Sequence, residues 1–244
     1  MATSLSTPSQ IQGQDILTSS ATQQAVIGAY AETPDGRGYR YSLVGAVSTV
    51  PGKVYQGTAL DATNLQPSGG LGVSAAVAIG GTQITTSTST TWAVNLFAGG
   101  YLSVDVTPGQ GYIYKIKSNT ATAGATGGVI TLEDPLLVAL TTSSKVIVVT
   151  NTYSGVVIEP GTPTAAIAGV PNSIITNAQY GWLQTRGACA VLFTGTGVAG
   201  KAVGSLSGGT SGSTAPAIAA TNIIGYHMAT GITGEYAFVH LTLG

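Results

Sequence analysis

Apolar and polar residues alternate with a period of two along much of the chain, the spacing that puts one face of a strand on a core. Tyr101–Val106 reads this way, with Leu102, Val104 and Val106 on one face and Tyr101, Ser103 and Asp105 on the other. Pro108-Gly109-Gln110-Gly111 then turns the chain into a second β run over 112–117, which predicts a hairpin. The runs 145–150 and 154–159 predict another pair around Asn151-Thr152-Tyr153. Near the C-terminus, 222–228 and 235–243 flank the turn 231–234. In the last strand Ala237, Val239, Leu241 and Leu243 share one face, and Tyr236, Phe238, His240 and Thr242 the other. Both faces carry bulk, so one is expected on the core and one against a partner.

No window has a convincing helical period, and Thr, Val, Ile and Tyr outweigh the strong helix formers. The fold class is therefore all-β with little helix, arranged as two small barrel-like or sandwich-like subdomains behind an extended N-terminal arm. The arm is residues 1–24, polar, without a period and rich in Ser, Thr and Gln. Pro160-Gly161-Thr162-Pro163 is the best boundary, giving an N-terminal β domain over 25–160 and a C-terminal barrel-like domain over 161–244. Residues 205–216 read as a Gly/Ser/Thr loop, and no repeat of 20–50 residues marks a solenoid or propeller.

Charge changes this picture most. Only 7% of the residues are Asp, Glu, Lys or Arg, against about 25% in an ordinary soluble domain. The stretches 64–104 and 202–234 carry none. Charge keeps soluble proteins apart, so these stretches are expected to face copies of the chain or another protein. Net charge is −1 with no run of like charge, which argues against nucleic acid and against docking on anionic membranes. The most apolar segment, 71–81, is about half the roughly 20 residues needed to span a bilayer. The first eight residues lack the basic and apolar regions of a signal peptide. The single cysteine, Cys189, allows no intrachain disulfide and favours assembly in the cytoplasm.

Apparent chemical motifs have plain readings. Gly195-Thr196-Gly197-Val198-Ala199-Gly200-Lys201 matches a phosphate loop up to its end. There Ala202 replaces the hydroxyl residue that would hold magnesium, and the continuation is not helical. A β-turn between strands is expected. His227 and His240 fall on adjacent predicted strands where Cys189 could join them, but a zinc site needs a fuller ligand set and a Cys/His pair needs an orienting third group. Glu133 and Asp134 are neighbours, which point to opposite faces of a strand, and Asp134-Pro135 reads as a turn. No catalytic residue, cofactor site or metal site is assigned, and no enzymatic activity is expected.

Arginine and tyrosine carry the candidate contacts. Two of the three arginines, Arg37 and Arg40, fall beside Tyr39 and Tyr41 after the turn Pro34-Asp35-Gly36. Tyr39 and Tyr41 share a strand face opposite Arg40. Further along, Trp182, Gln184 and Arg186 share a face that mixes an aromatic anchor with polar groups. Arg, Tyr and Trp are enriched at the energetic centres of interfaces. Asp35, Arg37, Tyr39, Arg40, Tyr41, Trp182 and Arg186 are thus the expected contacts with a partner or a second subunit.

The run Pro34-Asp35-Gly36-Arg37-Gly38-Tyr39-Arg40-Tyr41 resembles the start of a family of tailed-bacteriophage head decoration, or cement, proteins. Gly111-Tyr112-Ile113-Tyr114-Lys115-Ile116-Lys117-Ser118-Asn119, Leu132-Glu133-Asp134-Pro135-Leu136 and Tyr180-Gly181-Trp182-Leu183-Gln184-Thr185-Arg186-Gly187 continue the likeness. The closing segments around Ile224-Gly225-Tyr226 and 235–241 are similar to the final hairpin of small decoration barrels, with Tyr226-His227 where that hairpin is usually small and apolar. The resemblance runs from about Gln24 to the end and rests on the order of the motifs. It implies an all-β virion protein without enzymatic activity, made in the host cytoplasm and held on the outer surface of the capsid. Its implied partners are the major capsid protein and itself, as a homotrimer. The alternative is a trimeric tail or fibre protein that binds a host glycan, which predicts repeats along an elongated chain.

Overall fold

The computed structural model describes residues 9–10, 15–59, 70–87, 91–123, 127–161, 163–205, 210–217 and 222–244. Among these the protein is all-β, and its one helical turn is a short 3-10 segment at Asp15–Leu17. The chain divides into two compact units: residues 1–58 with 152–244, and residues 59–151.

The 59–151 unit is a closed six-stranded barrel, built from Leu71–Val73, Gln83–Ser87, Tyr101–Val106, Ile113–Asn119, Gly128–Leu132 and Lys145–Val149. The expected hairpin is present, with Leu102 opposite Tyr114. Closure follows from alternation. Leu71, Val73, Ile84, Leu102, Val104, Ile116, Ile130, Val146 and Val148 turn inward and join Trp92 and Phe97 in one core. Closing the sheet satisfies strand edges that would otherwise invite association.

In the other unit eleven strands are joined by pairing. Five of them form a circuit: Gly38–Val44, Ser154–Ile158, Tyr55–Gln56, Ile167–Pro171 and Tyr180–Leu192, the last pairing back to the first. Each strand gives one residue to the enclosed core: Val44, Val156, Tyr55, Ala168 and Leu183. The long strand Tyr180–Leu192 runs out of this circuit and pairs with Tyr236–Thr242, which pairs with Ile223–His227. Val191, Val239, Leu241 and Ile224 cover a second core there with Val54 and Val203.

These pairings correct the expected division at residue 160. The 160–163 segment connects two strands, 154–158 and 167–171, that both pair with Tyr55–Gln56, so no boundary falls there. The 145–149 and 154–158 strands do not pair with each other. The first closes the barrel against Leu71–Val73 and Tyr101–Val106; the second runs parallel to Gly38–Val44 in the other unit. Local periodicity identified both strands, but their partners are distant in sequence.

The expected extended arm packs on its own chain over part of its described length. Ile16 is buried with Ala31 and Tyr39, against Trp182. Ser20 and Tyr180 exchange backbone hydrogen bonds of 3.0 and 2.9 Å, and Gln24 N donates to Tyr41 Oη at 2.8 Å. Residues 1–8 and 11–14 of the expected arm lie outside the described residues.

Candidate functional site

The candidate residues lie where Gly38–Val44 pairs with Tyr180–Leu192. Tyr41 stands opposite Trp182, and Tyr39 opposite Gln184. Their environments separate them into core and surface. Tyr39 and Tyr41 are buried at 0% and 3% exposure, which corrects their assignment as contacts with a partner. Tyr41 stacks on Tyr180 and meets Trp182 edge-on, at centroid distances of 5.9 and 5.0 Å. Tyr39 joins a polar cluster inside the protein: Asn172 Nδ2 donates to Tyr39 Oη at 3.2 Å and to Gln184 Oε1 at 2.9 Å. Burial pushes the Tyr39 hydroxyl up to about 12.

Arg40 is also held internally. Its guanidinium carbon lies 5.1 Å from the Tyr30 ring centroid and 5.8 Å from that of Tyr153, and Nη1 donates to Gly28 O at 3.0 Å. This is a cation stacked between two π faces, which accounts for an arginine in that position without a partner molecule.

The expected common face of Trp182, Gln184 and Arg186 is broken by a β-bulge. Gln184 opposes Tyr39 while Arg186 opposes Gly38, so Thr185 is an extra residue. Gln184 is buried and its Nε2 donates to both Arg186 O and Ala188 O at 2.9 Å. Beyond the bulge the alternation is reset: Gly187, Cys189 and Val191 point inward, while Arg186, Ala188 and Ala190 are exposed.

Asp35 and Arg37 remain at the surface. The turn is fixed by Thr33 N, which donates to Arg37 O at 2.9 Å, and by the Thr33 hydroxyl, which donates to Asp35 Oδ1. Arg37 Nε donates to Asp35 Oδ2 at 2.7 Å. The Thr33 hydroxyl, with the neighbouring Arg37, holds the Asp35 carboxyl below its ordinary range. The Arg37 stem lies against Gly187, where φ is +85° and an added Cβ would sit 3.0 Å from Arg37 Cγ.

Arg37 forms one end of an open cleft of about 580 Å³. Its lining includes Val50, Pro51, Pro171 and Asn172, the Ala188–Ala190 stretch, and Tyr236 and Phe238. Ala190 opposes Phe238 across the sheet, so a small residue beside a large one makes the depression. Gly52, at φ +73°, lets the Tyr236 ring pack close: a Cβ there would lie 2.5 Å from a ring carbon. Cys189 is buried, and desolvation pushes its thiol up to about 12, so it is not an activated nucleophile.

Next to the cleft, the outer face of the C-terminal hairpin carries exposed large apolar side chains beside the exposed His240 and Thr242. Tyr236 and Phe238 are 53% and 58% exposed, and Tyr226 and Met228 are exposed beside them. This is the face expected from sequence to meet a partner. The neutral stretch 64–104 likewise presents Ile79, Val94 and Tyr101 to solvent.

The remaining motifs fall apart chemically. His227 is buried and His240 exposed, because His240 opposes Tyr226, the neighbour of His227. Gly195–Lys201 contains the two-residue strand Thr196–Gly197 and a turn, and the chain continues as the strand Ala202–Ser205. Glu133 and Asp134 sit in an exposed bend, with Glu133 Oε2 3.4 Å from Lys115 Nζ. Among the described residues no three His, Cys, Asp or Glu side chains gather as a metal site.

The sequence reading did not single out Asn172, and it placed Gln184 only on an outer face with Trp182 and Arg186. Both are ordinary polar residues in the sequence, and they become a cluster only when the 38–44, 167–171 and 180–192 strands close together. Comparison with known proteins returns no match: no family model fits the chain, and no curated protein or solved structure is similar to it.

Proposed function

We propose that the protein is a virion structural protein, a decoration protein that binds the assembled head of a tailed bacteriophage. It clamps adjacent major capsid subunits from the outer surface, as a homotrimer, and has no catalytic role. The observation that carries this reading is the exposed, uncharged aromatic face of the C-terminal hairpin, formed by Tyr226, Met228, Tyr236 and Phe238. Large exposed apolar side chains gathered on one strand face point to an interaction site. The order of the motifs from Pro34 to Leu241, similar to that of head decoration proteins, supplies the partner.

The mechanism is thermodynamic. A ligand that binds only the assembled shell stabilises it by mass action, and many copies on one lattice reinforce one another. With few charges to screen, binding weakens little as salt rises. Copy number per virion tests the reading: a number comparable to that of capsid subunits supports a decoration protein, and a few copies confined to the tail contradict it.

A further inference from the structure

We propose that the cleft between Arg37 and Phe238 is a binding site for an extended apolar peptide segment that carries one acidic side chain. Three observations define the ligand. First, the size and lining suit an apolar body: about 580 Å³, with Val50, Pro51, Pro171, Ala190, Tyr236 and Phe238 along it. Second, the one charged group in the lining is a cation, Arg37. Its Nε is committed to Asp35 and its carbon lies 5.9 Å from the Tyr39 ring centroid. Neither Nη atom has a hydrogen-bond partner among the described residues. The guanidinium is thus held in place with donors to spare, the arrangement that recognises a carboxylate.

Third, the cleft offers little to a sugar. Besides the Cys189 thiol and the Tyr236 phenol its neutral polar side chain is Asn172, whose amide nitrogen is already used on Tyr39 and Gln184 and whose oxygen faces the thiol. The hydroxyls of a saccharide would lose water without gaining partners, which is costly. An acidic residue flanked by apolar ones brings a carboxylate to the Arg37 donors and apolar side chains to the rest of the lining. Assigning the segment to a capsid subunit rests on the proposed function; the chemistry of the cleft does not.

The test is a titration of the full-length protein followed by NMR at the backbone amides of Ala188, Ala190 and Phe238. The probes are acetyl-Val-Glu-Val-amide, the same peptide with Gln for Glu, and N-acetylneuraminic acid. The glutamate peptide is expected to bind about tenfold more tightly than its amide counterpart, as a charge-assisted hydrogen bond allows. Arg37→Gln is expected to abolish that preference, and Ala190→Leu, at an exposed lining position, to abolish binding of both peptides. Equal binding of the two peptides, no shift with either, or tighter binding of the sugar acid overturns the proposal. Binding of purified phage heads by wild type and Ala190→Leu separates the two readings. If the glutamate peptide binds but heads do not, the capsid assignment falls and the cleft stands. If heads bind both proteins equally, the capsid segment is not the occupant.

Discussion

Trp182 meets Tyr41 edge-on, with ring centroids 5.0 Å apart and planes at 64°. This pair holds the 38–44 strand to the 180–192 strand beside the packed Ile16, so its role is structural. Trp182→Ala is expected to cost about 2 kcal/mol, less than the usual penalty for a fully buried aromatic because the ring is only partly buried. Arg186→Ala, at an exposed position past the bulge, is expected to stay within about 0.5 kcal/mol. Urea unfolding of both variants checks the contrast, with the midpoint moving and the slope unchanged.

Arg40→Lys tests whether the stacked cation is structural. Lysine keeps the charge but loses the planar group between Tyr30 and Tyr153 and the fixed donor to Gly28 O. A loss of about 1 kcal/mol is expected. Stability equal to wild type would show that charge alone suffices there.

The sequence carried the fold class because strand alternation is local. The 236–242 strand buries Ala237, Val239 and Leu241 and exposes Tyr236 and Phe238, as its period demanded. The division of the chain was not local. Two neighbouring strands, 145–149 and 154–158, go to different units through partners far away in sequence. The candidate site was half legible. Arg37 and the aromatic face stand out by residue type. The burial of Tyr39 and Tyr41 and the bulge at Thr185 depend on the closed circuit of strands. Residue type alone cannot distinguish an interface tyrosine from a core tyrosine.

Two buried groups should set the pH dependence of stability in opposite directions. His227 packs edge-on to Phe193 at 4.6 Å, with both ring nitrogens buried and unpartnered. Desolvation lowers its pKa from the ordinary 6.5. The unfolded chain then binds the proton more readily, so this contribution is complete above 6.5 and is lost as pH falls toward the depressed folded value. His227→Phe is expected to flatten the stability profile below neutrality; an unchanged slope would remove His227 as its cause.

Glu159 has the opposite sign. Its carboxylate is buried with neither oxygen hydrogen-bonded among the described residues, and desolvation raises its pKa above 4.5. Its stabilising contribution is present below 4.5 and is lost as pH rises through the folded value. Glu159→Gln is therefore expected to raise the Tm at pH 7 and leave it nearly unchanged at pH 4. A lower Tm at pH 7 would mean that the ionised carboxylate is stabilised by its surroundings.

The barrel core is drawn entirely from residues 71–148. Residues 59–151 expressed alone are therefore expected to fold, giving a β circular-dichroism spectrum and one cooperative thermal transition. A fragment that remains unfolded would show that the barrel requires the rest of the chain.

The most direct measurement of the central claim is co-sedimentation of the purified protein with assembled, expanded phage heads and, separately, with unassembled capsid subunits. The account requires saturable binding to heads that persists at moderate salt, little binding to free subunits, and loss of binding in a Tyr236→Ser, Phe238→Ser double variant that remains folded. Absence of binding to heads, or equal binding by that variant, would contradict it.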